Sequence, residues 1–213
     1  MRIFAVTPIH VGGAELARRQ ARYDALCPEW LRVVLHDLGE QAPASLETAA
    51  DIHESEVRVV DVLQEAPDGY DAVMADCVLD PGGVELATCS RLPVLGLLRM
   101  SLGWSVCTGR QAGAVTRNRA IAEELAARVE SYGWAGSFTG VEVLGLGVET
   151  IADGDQWGAS VGAAVDRLGR AGADTVINGC SAVELPPGAL PGGSRLVDPT
   201  ALALRLLATS EAA

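Results

Sequence analysis

The sequence contains no lysine, and all 16 of its basic residues are arginine. Without lysine the protein cannot form a Schiff base with a carbonyl substrate, and it has no Walker A motif for nucleotide phosphates. Its glycines do not follow the Gly-x-Gly-x-x-Gly spacing of a dinucleotide site. These absences remove several common classes of α/β enzyme.

Residues that bind metals are few and scattered. The five cysteines form no Cys-x-x-Cys pair, and the three histidines (His10, His36 and His53) lie far apart in the sequence. This pattern argues against a structural zinc site. We therefore expect a protein without a metal or an organic cofactor.

Positive charge is also scarce, since the formal net charge is −12. This charge argues against nucleic acid and anionic membrane surfaces as partners, but not against a small anionic substrate bound locally. No apolar run reaches transmembrane length, and the first residues lack the long apolar region of a signal peptide. We therefore expect a cytoplasmic protein with reduced cysteines.

Two similar segments organise what is present. YDAVMADC ends at Cys77 and ADTVINGC ends at Cys180, and each has an aspartate (Asp71, Asp174) six residues before the cysteine. Short apolar runs of this kind predict buried strands. Each thiol then lies at the carboxyl end of its strand, where open parallel sheets bind ligands. Strand alternation places Asp76 on the opposite face from Cys77.

Strands and helices alternate along the chain, which predicts an α/β fold with parallel sheets and an internal duplication. The first half has a strand at Arg2–Val6 that ends before Thr7. In the second half we assign the matching strand to residues 104–108, followed by a helix over residues 113–132. The two cysteines are 103 positions apart, and Thr7 and Thr108 are 101 positions apart. This near-constant offset supports the duplication.

Two thiols at equivalent points of two half-chains suit proton transfer at carbon. One thiolate removes a proton from a carbon acid and the other thiol returns one to the opposite face, which inverts the stereocentre. The carbanion needs hydrogen-bond donors, and backbone N–H groups after each cysteine, at the start of the following helix, supply them. The predicted substrate-binding groups are the hydroxyls of Thr7 and Thr108 and the backbone at Val78, Leu79, Ser181 and Ala182.

These residues resemble the Asp/Glu racemase superfamily, and most closely its hydantoin racemase branch. The matching motifs are DCVLDPG, RLPVLGL, GADTVINGCSAVE and RLVDP. The resemblance covers nearly the whole chain. It implies two pseudo-twofold-related lobes, each a parallel four-stranded sheet flanked by helices, with the active site in the cleft between them. The lobes would be residues 1–98, with helix 199–213 packed back on them, and residues 99–198. It further implies a cofactor-independent two-base mechanism on Cys77 and Cys180, and a homo-oligomer.

The chain departs from this branch at three positions that contact substrate in the family. Thr7-Pro8-Ile9-His10 replaces the usual Asn-Pro-Asn-Thr, Arg99 lies in the region where the branch carries a glutamate, and Cys107-Thr108 replaces a pair of threonines. Arg99 suits a substrate carboxylate through a bidentate pair. His10 suits a hydrogen bond or a proton transfer.

Three functions follow from these observations. The first is a racemase or epimerase that acts at an acidic C–H next to a carboxylate or carbonyl of a small substrate. The second keeps the fold and changes the reaction, to an arylmalonate-type decarboxylase or a maleate-type cis–trans isomerase. The third is a small-molecule binding protein without chemistry. The paired cysteines favour the racemase, because the resembling decarboxylases keep only the second cysteine.

Overall fold

The computed structural model describes residues 1–147, 154–183 and 195–210. The chain divides into two compact units, Met1–Leu97 with the residues from Ala203 onward, and Leu98–Leu202. Each unit contains one sheet of four strands, all of whose pairs are parallel. The predicted α/β class, with two parallel four-stranded sheets flanked by helices, is confirmed.

The first sheet has the strand order β2-β1-β3-β4. Its central strands β1 and β3 are apolar and buried almost throughout, as expected for strands covered on both faces. Helix α2 begins with a capping box, in which Thr48 and Asp51 each bond the other's backbone N–H. The elements are β1 (Arg2–Val6), α1 (Gly13–Leu26), β2 (Arg32–His36), α2 (Ala49–Gln64), β3 (Ala72–Ala75), α3 (Gly83–Cys89) and β4 (Val94–Leu95).

The second sheet has the equivalent order β6-β5-β7-β8. Helix α6 packs Val161, Ala164, Val165 and Leu168 into a core with Val115 and Val176. Their spacing of three and four residues is that of one helix face. The elements are α4 (Leu97–Cys107), β5 (Ala112–Thr116), α5 (Arg119–Ser131), β6 (Phe138–Val143), α6 (Gly154–Arg170), β7 (Thr175–Asn178), β8 (Arg195–Val197) and α7 (Pro199–Ser210).

Asp71 and Asp174, the aspartates of the repeated motif, have the same role in the two sheets. The Asp71 carboxylate accepts the backbone N–H of Arg2 at 2.6 Å, and the Asp174 carboxylate accepts that of Gln111 at 2.9 Å. In return each aspartate donates its own N–H to the carbonyl of the same partner, at 2.8 Å in both cases. These bonds join the start of β3 to β1 and the start of β7 to β5.

The strand assigned to residues 104–108 is wrong, because these residues belong to the end of helix α4 and the residue after it. A short apolar run does not by itself distinguish a strand from a buried helical turn. The helix predicted to start at Gly113 is wrong there too, since Gly113 lies in β5. A Cβ on Gly113 would lie 3.0 Å from the side chains of both Leu168 and Thr139, so these side chains pack closely over this strand.

Candidate active site

Three loops follow the carboxyl ends of the adjacent strands β2, β1 and β3. The loop after β1 (residues 7–12) contains Thr7 and His10, the loop after β2 begins with Asp37, and the loop after β3 (residues 76–82) contains Cys77. Because these strands are parallel and neighbours, the loops lie at the same edge of the first sheet. Hydrogen bonds link the first two loops directly.

Asp37 holds His10 in a fixed orientation. The imidazole Nδ1 lies 2.7 Å from Asp37 Oδ2, and the other carboxylate oxygen accepts the backbone N–H of Val11 at 2.9 Å. Burial alone would raise the pKa of Asp37, but the Val11 N–H and His10 more than offset it, so the pKa is lowered. With Nδ1 engaged and the side chain 39% exposed, Nε2 is the ring nitrogen that a ligand at this edge would meet.

Thr7 is fully buried, and its hydroxyl holds the two loops together. It donates to the carbonyl of Ile9 at 2.8 Å, lies 3.2 Å from Asp37 Oδ1, and accepts the backbone N–H of Leu38 at 3.1 Å. This hydroxyl has partners inside the protein. Its contact with substrate stays a prediction.

Cys77 begins a tight turn. The backbone N–H of Asp80 bonds the Cys77 carbonyl at 3.2 Å, and Asp80 has a left-handed backbone with a φ of 47°. Val78 and Leu79 within the turn are buried. Helix α3 begins at Gly83, six residues after Cys77, so its first residues follow this turn and not the cysteine itself. Any oxyanion donors beside Cys77 are the N–H groups of a turn rather than of a helix's first residues.

Asp76 is buried against helix α1. Its carboxylate lies 3.1 Å from Arg19 Nη1 and accepts the hydroxyl of Tyr23 at 2.8 Å, while Arg19 Nε donates to Glu15 at 2.7 Å. Burial raises the pKa of Tyr23 well above its usual value, and Asp76 adds to this rise. Burial opposes the charge of Arg19, but Asp76 and Glu15 outweigh it, and the pKa of Arg19 is raised.

Cys180 occupies the same position in the second sheet. Cys77 is the second residue after β3, and Cys180 is the second residue after β7. The residues before them make matching bonds to the central strand, from Asp76 N to Val6 O at 2.8 Å and from Gly179 N to Val115 O at 2.7 Å. The turns that follow also match, since Val183 N bonds the Cys180 carbonyl at 3.2 Å.

Buried residues lie on both sides of Cys180 in the chain. Asn178 is fully buried and donates its side-chain amide to the Cys180 carbonyl at 3.0 Å, and its Oδ1 has no hydrogen-bond partner among the residues described. Ser181 and Ala182 are also buried. Glu184, the last residue of the second cysteine motif, and the turn-rich stretch that follows fall outside the described residues.

Thr108 is not the counterpart of Thr7. It follows α4, where its hydroxyl bonds the carbonyls of Trp104 at 2.8 Å and Ser105 at 3.1 Å. The counterpart is Thr116 at the end of β5, whose hydroxyl bonds the carbonyl two residues ahead, as that of Thr7 does. The sequence contains the signal for this match. Ala-Val-Thr begins at Ala5 and again at Ala114, and in both places seven residues separate it from Glu-Leu-Ala-x-Arg-x-x-x-Tyr.

Arg99 lies on helix α4, in its first turn, and its side chain is exposed. From the sequence alone, residues 94–97 were assigned to a strand and Arg99 to the segment that follows it. Its pairing with a substrate carboxylate stays a prediction.

Within the described part of the chain, no group of three or more His, Cys, Asp or Glu side chains is placed to hold a metal ion. In the same residues no helix combines the length and apolar character needed to cross a membrane.

The sequence matches the Asp/Glu/hydantoin racemase family over residues 17–207, and the chain belongs to that family. None of the curated proteins matches it. Allantoin racemase from Klebsiella pneumoniae has a similar fold, with a TM-score of 0.79 at 17% identity over 100% of this chain and 88% of that one. Allantoin racemase from Pseudomonas fluorescens gives 0.79 at 15% identity, over 100% and 91%. Arylmalonate decarboxylase gives 0.65 at 17% identity, over 98% and 92%.

Proposed function

We propose that the protein is a cofactor-independent racemase or epimerase in which Cys77 and Cys180 are the two acid/base residues. One observation carries the proposal. A cysteine stands at the same position after the same strand in both sheets, with the same hydrogen bonds on either side. A lone cysteine is most often a small buried hydrophobe, but such packing does not explain why the duplication keeps both. Membership in a racemase family supports the same function.

The reaction is a proton exchange at one carbon. The thiolate of one cysteine removes the proton from a C–H bond next to a carboxylate or carbonyl, and the electron pair of that bond passes to the carbonyl oxygen. The thiol of the other cysteine then protonates the carbon from the opposite face and becomes the thiolate. The two cysteines exchange protonation states, and the reverse reaction uses them in the opposite roles.

The substrate we propose to test first is a cyclic ureide such as allantoin or a 5-substituted hydantoin. The two allantoin racemases of similar fold support this class, and aspartate and glutamate follow from the family's name. His10 and Arg99 offer a hydrogen bond and a positive charge to an oxygen of such a substrate. We propose a small-molecule ligand, a cytoplasmic location and assembly as a homo-oligomer, with neither nucleic acid nor membrane as a partner.

Deuterium incorporation tests the proposal. Each enantiomer of the substrate is incubated with the protein in D2O, and we expect product that carries deuterium at the inverted carbon. Cys77→Ser and Cys180→Ser should each slow racemisation by about 100-fold or more, because each removes one acid/base group. Cys89→Ser, at an exposed cysteine, is the matched control and should leave the rate unchanged. Wild-type rates in both test variants would contradict the proposal.

The structural likeness to arylmalonate decarboxylase means that decarboxylation has to be tested as a second candidate reaction. A decarboxylase would release CO2 from a disubstituted malonate, and this reaction needs a proton donor on one face only. Because the paired cysteines favour racemisation, we expect no CO2 release by the wild-type protein. A cis–trans isomerase would instead form a covalent cysteine adduct with maleate, which mass spectrometry detects as a mass increase on the Cys77 or Cys180 peptide.

A further inference from the structure

The two halves differ at one charged position next to the thiols. Asp76 precedes Cys77, whereas Gly179 precedes Cys180. The helices α1 and α5 carry the same repeated sequence motif. Glu15, Arg19 and Tyr23 of α1 correspond to Glu124 and Arg128 of α5 and to Tyr132 directly after it. In both helices the arginine pairs with the glutamate one turn earlier, at 2.7 Å in α1 and 2.8 Å in α5. At the position before the cysteine the first half has a carboxylate, which is buried, and the second half has a glycine.

That carboxylate is placed to affect the thiol. Asp76 and Cys77 are neighbours in the chain, with Cα atoms about 3.8 Å apart, and both residues are buried. Strand alternation turns their side chains to opposite faces, but a buried charge one residue away is screened far less than it would be in water. An uncompensated negative charge at this range opposes formation of a thiolate. Arg19, itself only 6% exposed, contacts Asp76 and brings a compensating positive charge.

We propose that the buried pair of Arg19 and Asp76 controls how readily the thiol of Cys77 ionises, so that the two catalytic thiols differ in acidity. Both residues are positioning residues, since they act through Cys77. The proposal rests on the proposed function for its catalytic meaning, but its electrostatic content is measurable without any substrate. Other charged groups on the elements packed around this loop are Asp80 in the loop itself, Glu56 on α2, Glu15 and Arg18 on α1, and His10 and Asp37 in the neighbouring loops.

Titration of the two thiols by NMR tests the proposal. The protein is labelled with 13Cβ cysteine in a background carrying Cys27→Ser, Cys89→Ser and Cys107→Ser, which leaves two signals. In this background Arg19→Gln should raise the Cys77 thiol pKa by about one pH unit, and Asp76→Asn should lower it by a similar amount. The double variant should return it close to the starting value. The Cys180 signal should titrate alike in all of them.

Arg128→Gln is the matched control. It removes the equivalent arginine from the half that has Gly179 in place of Asp76, and it should shift the Cys180 thiol pKa less than Arg19→Gln shifts that of Cys77.

A merely structural role would move the Cys77 pKa in the same direction in both single variants, and that result overturns the proposal. So does an unchanged Cys77 pKa in both. Should Arg19→Gln fail to fold, Asp76→Asn alone decides, since a fall in the pKa supports the proposal and any other result overturns it. If racemisation fails while these shifts hold, the proposed function is wrong and the charge effect stands.

Discussion

Gly179 donates its backbone N–H to the carbonyl of Val115 across 2.7 Å, and a Cβ on Gly179 would lie 2.3 Å from that same oxygen. The Cβ would also lie 2.7 Å from the side chain of Thr116. A backbone oxygen cannot yield as a flexible side chain does. A side chain at the position before Cys180 would therefore displace the bond between Gly179 and Val115, and glycine avoids this clash.

We expect Gly179→Ala to lower the free energy of unfolding by about 1 to 3 kcal/mol, as overpacking does in a tight interior. Urea denaturation followed by circular dichroism measures the change. Gly162→Ala is the matched control, because Gly162 lies inside helix α6 with nothing within 4 Å of its Cβ position. This variant should gain about 0.5 to 1 kcal/mol from helix propensity. Equal effects in the two variants would contradict the tight contact at Gly179.

Thr7 and Thr108 should respond differently to loss of their hydroxyls. Thr7→Val leaves the partly buried N–H of Leu38 without its acceptor, and we expect a loss of about 1 to 3 kcal/mol of stability. Thr108→Val acts at the exposed end of α4 and should change stability by less than about 0.5 kcal/mol. Thermal denaturation of the two variants measures both. A larger loss in Thr108→Val would show that the hydroxyl network around Thr7 contributes little.

The sequence was sufficient for the features that depend on local pattern. Strand β1 has the predicted bounds, because a short apolar run beside turn formers specifies a buried strand. The aspartate and cysteine motif correctly marked the equivalent strands β3 and β7. The repeated Ala-Val-Thr was equally visible, and it would have placed the second threonine at Thr116 instead of Thr108.

Pairs that are distant in sequence were beyond reach. Asp37 stands 27 residues from His10, and Asp76 stands 57 residues from Arg19, so only the parallel sheet brings them together. Nothing in the sequence around Arg19 distinguishes it from an exposed helical arginine, and yet the fold buries it against a carboxylate. The left-handed backbone of Asp80 in the turn after Cys77 was not predicted either, since glycine usually provides that conformation.

Asn178 should matter more for activity than for stability. Its amide fixes the Cys180 carbonyl, while its buried Oδ1 lacks a partner among the residues described. Asn178→Leu removes the useful bond together with that unfavourable oxygen, so the two effects on folding partly cancel. We expect less than about 1 kcal/mol of lost stability and roughly a tenfold slower racemisation, because a displaced thiol disturbs proton transfer. Parallel denaturation and racemisation assays test this, and an unchanged rate would mean that the Asn178 amide does not position Cys180.

The carboxylate of Asp37 should make stability depend on pH. Its pKa in the folded protein lies below the ordinary aspartate value of about 3.9, because burial is outweighed by the Val11 N–H and His10. A group with a depressed folded pKa contributes stability above its unfolded pKa and loses that contribution as the pH falls through the folded value. Asp37→Asn should therefore be less stable than wild type at pH 7, and the difference should shrink as the pH is lowered towards about 3.

Urea denaturation of both proteins across this range measures the change in that difference. Gly179→Ala is the control, since its steric effect involves no titrating group and should be similar at both ends of the range. A difference for Asp37→Asn that stays constant with pH would show that the charge of Asp37 does not stabilise the loops around His10. In that case His10 would have to be held by packing alone, and Asp37→Asn should then leave its orientation unchanged.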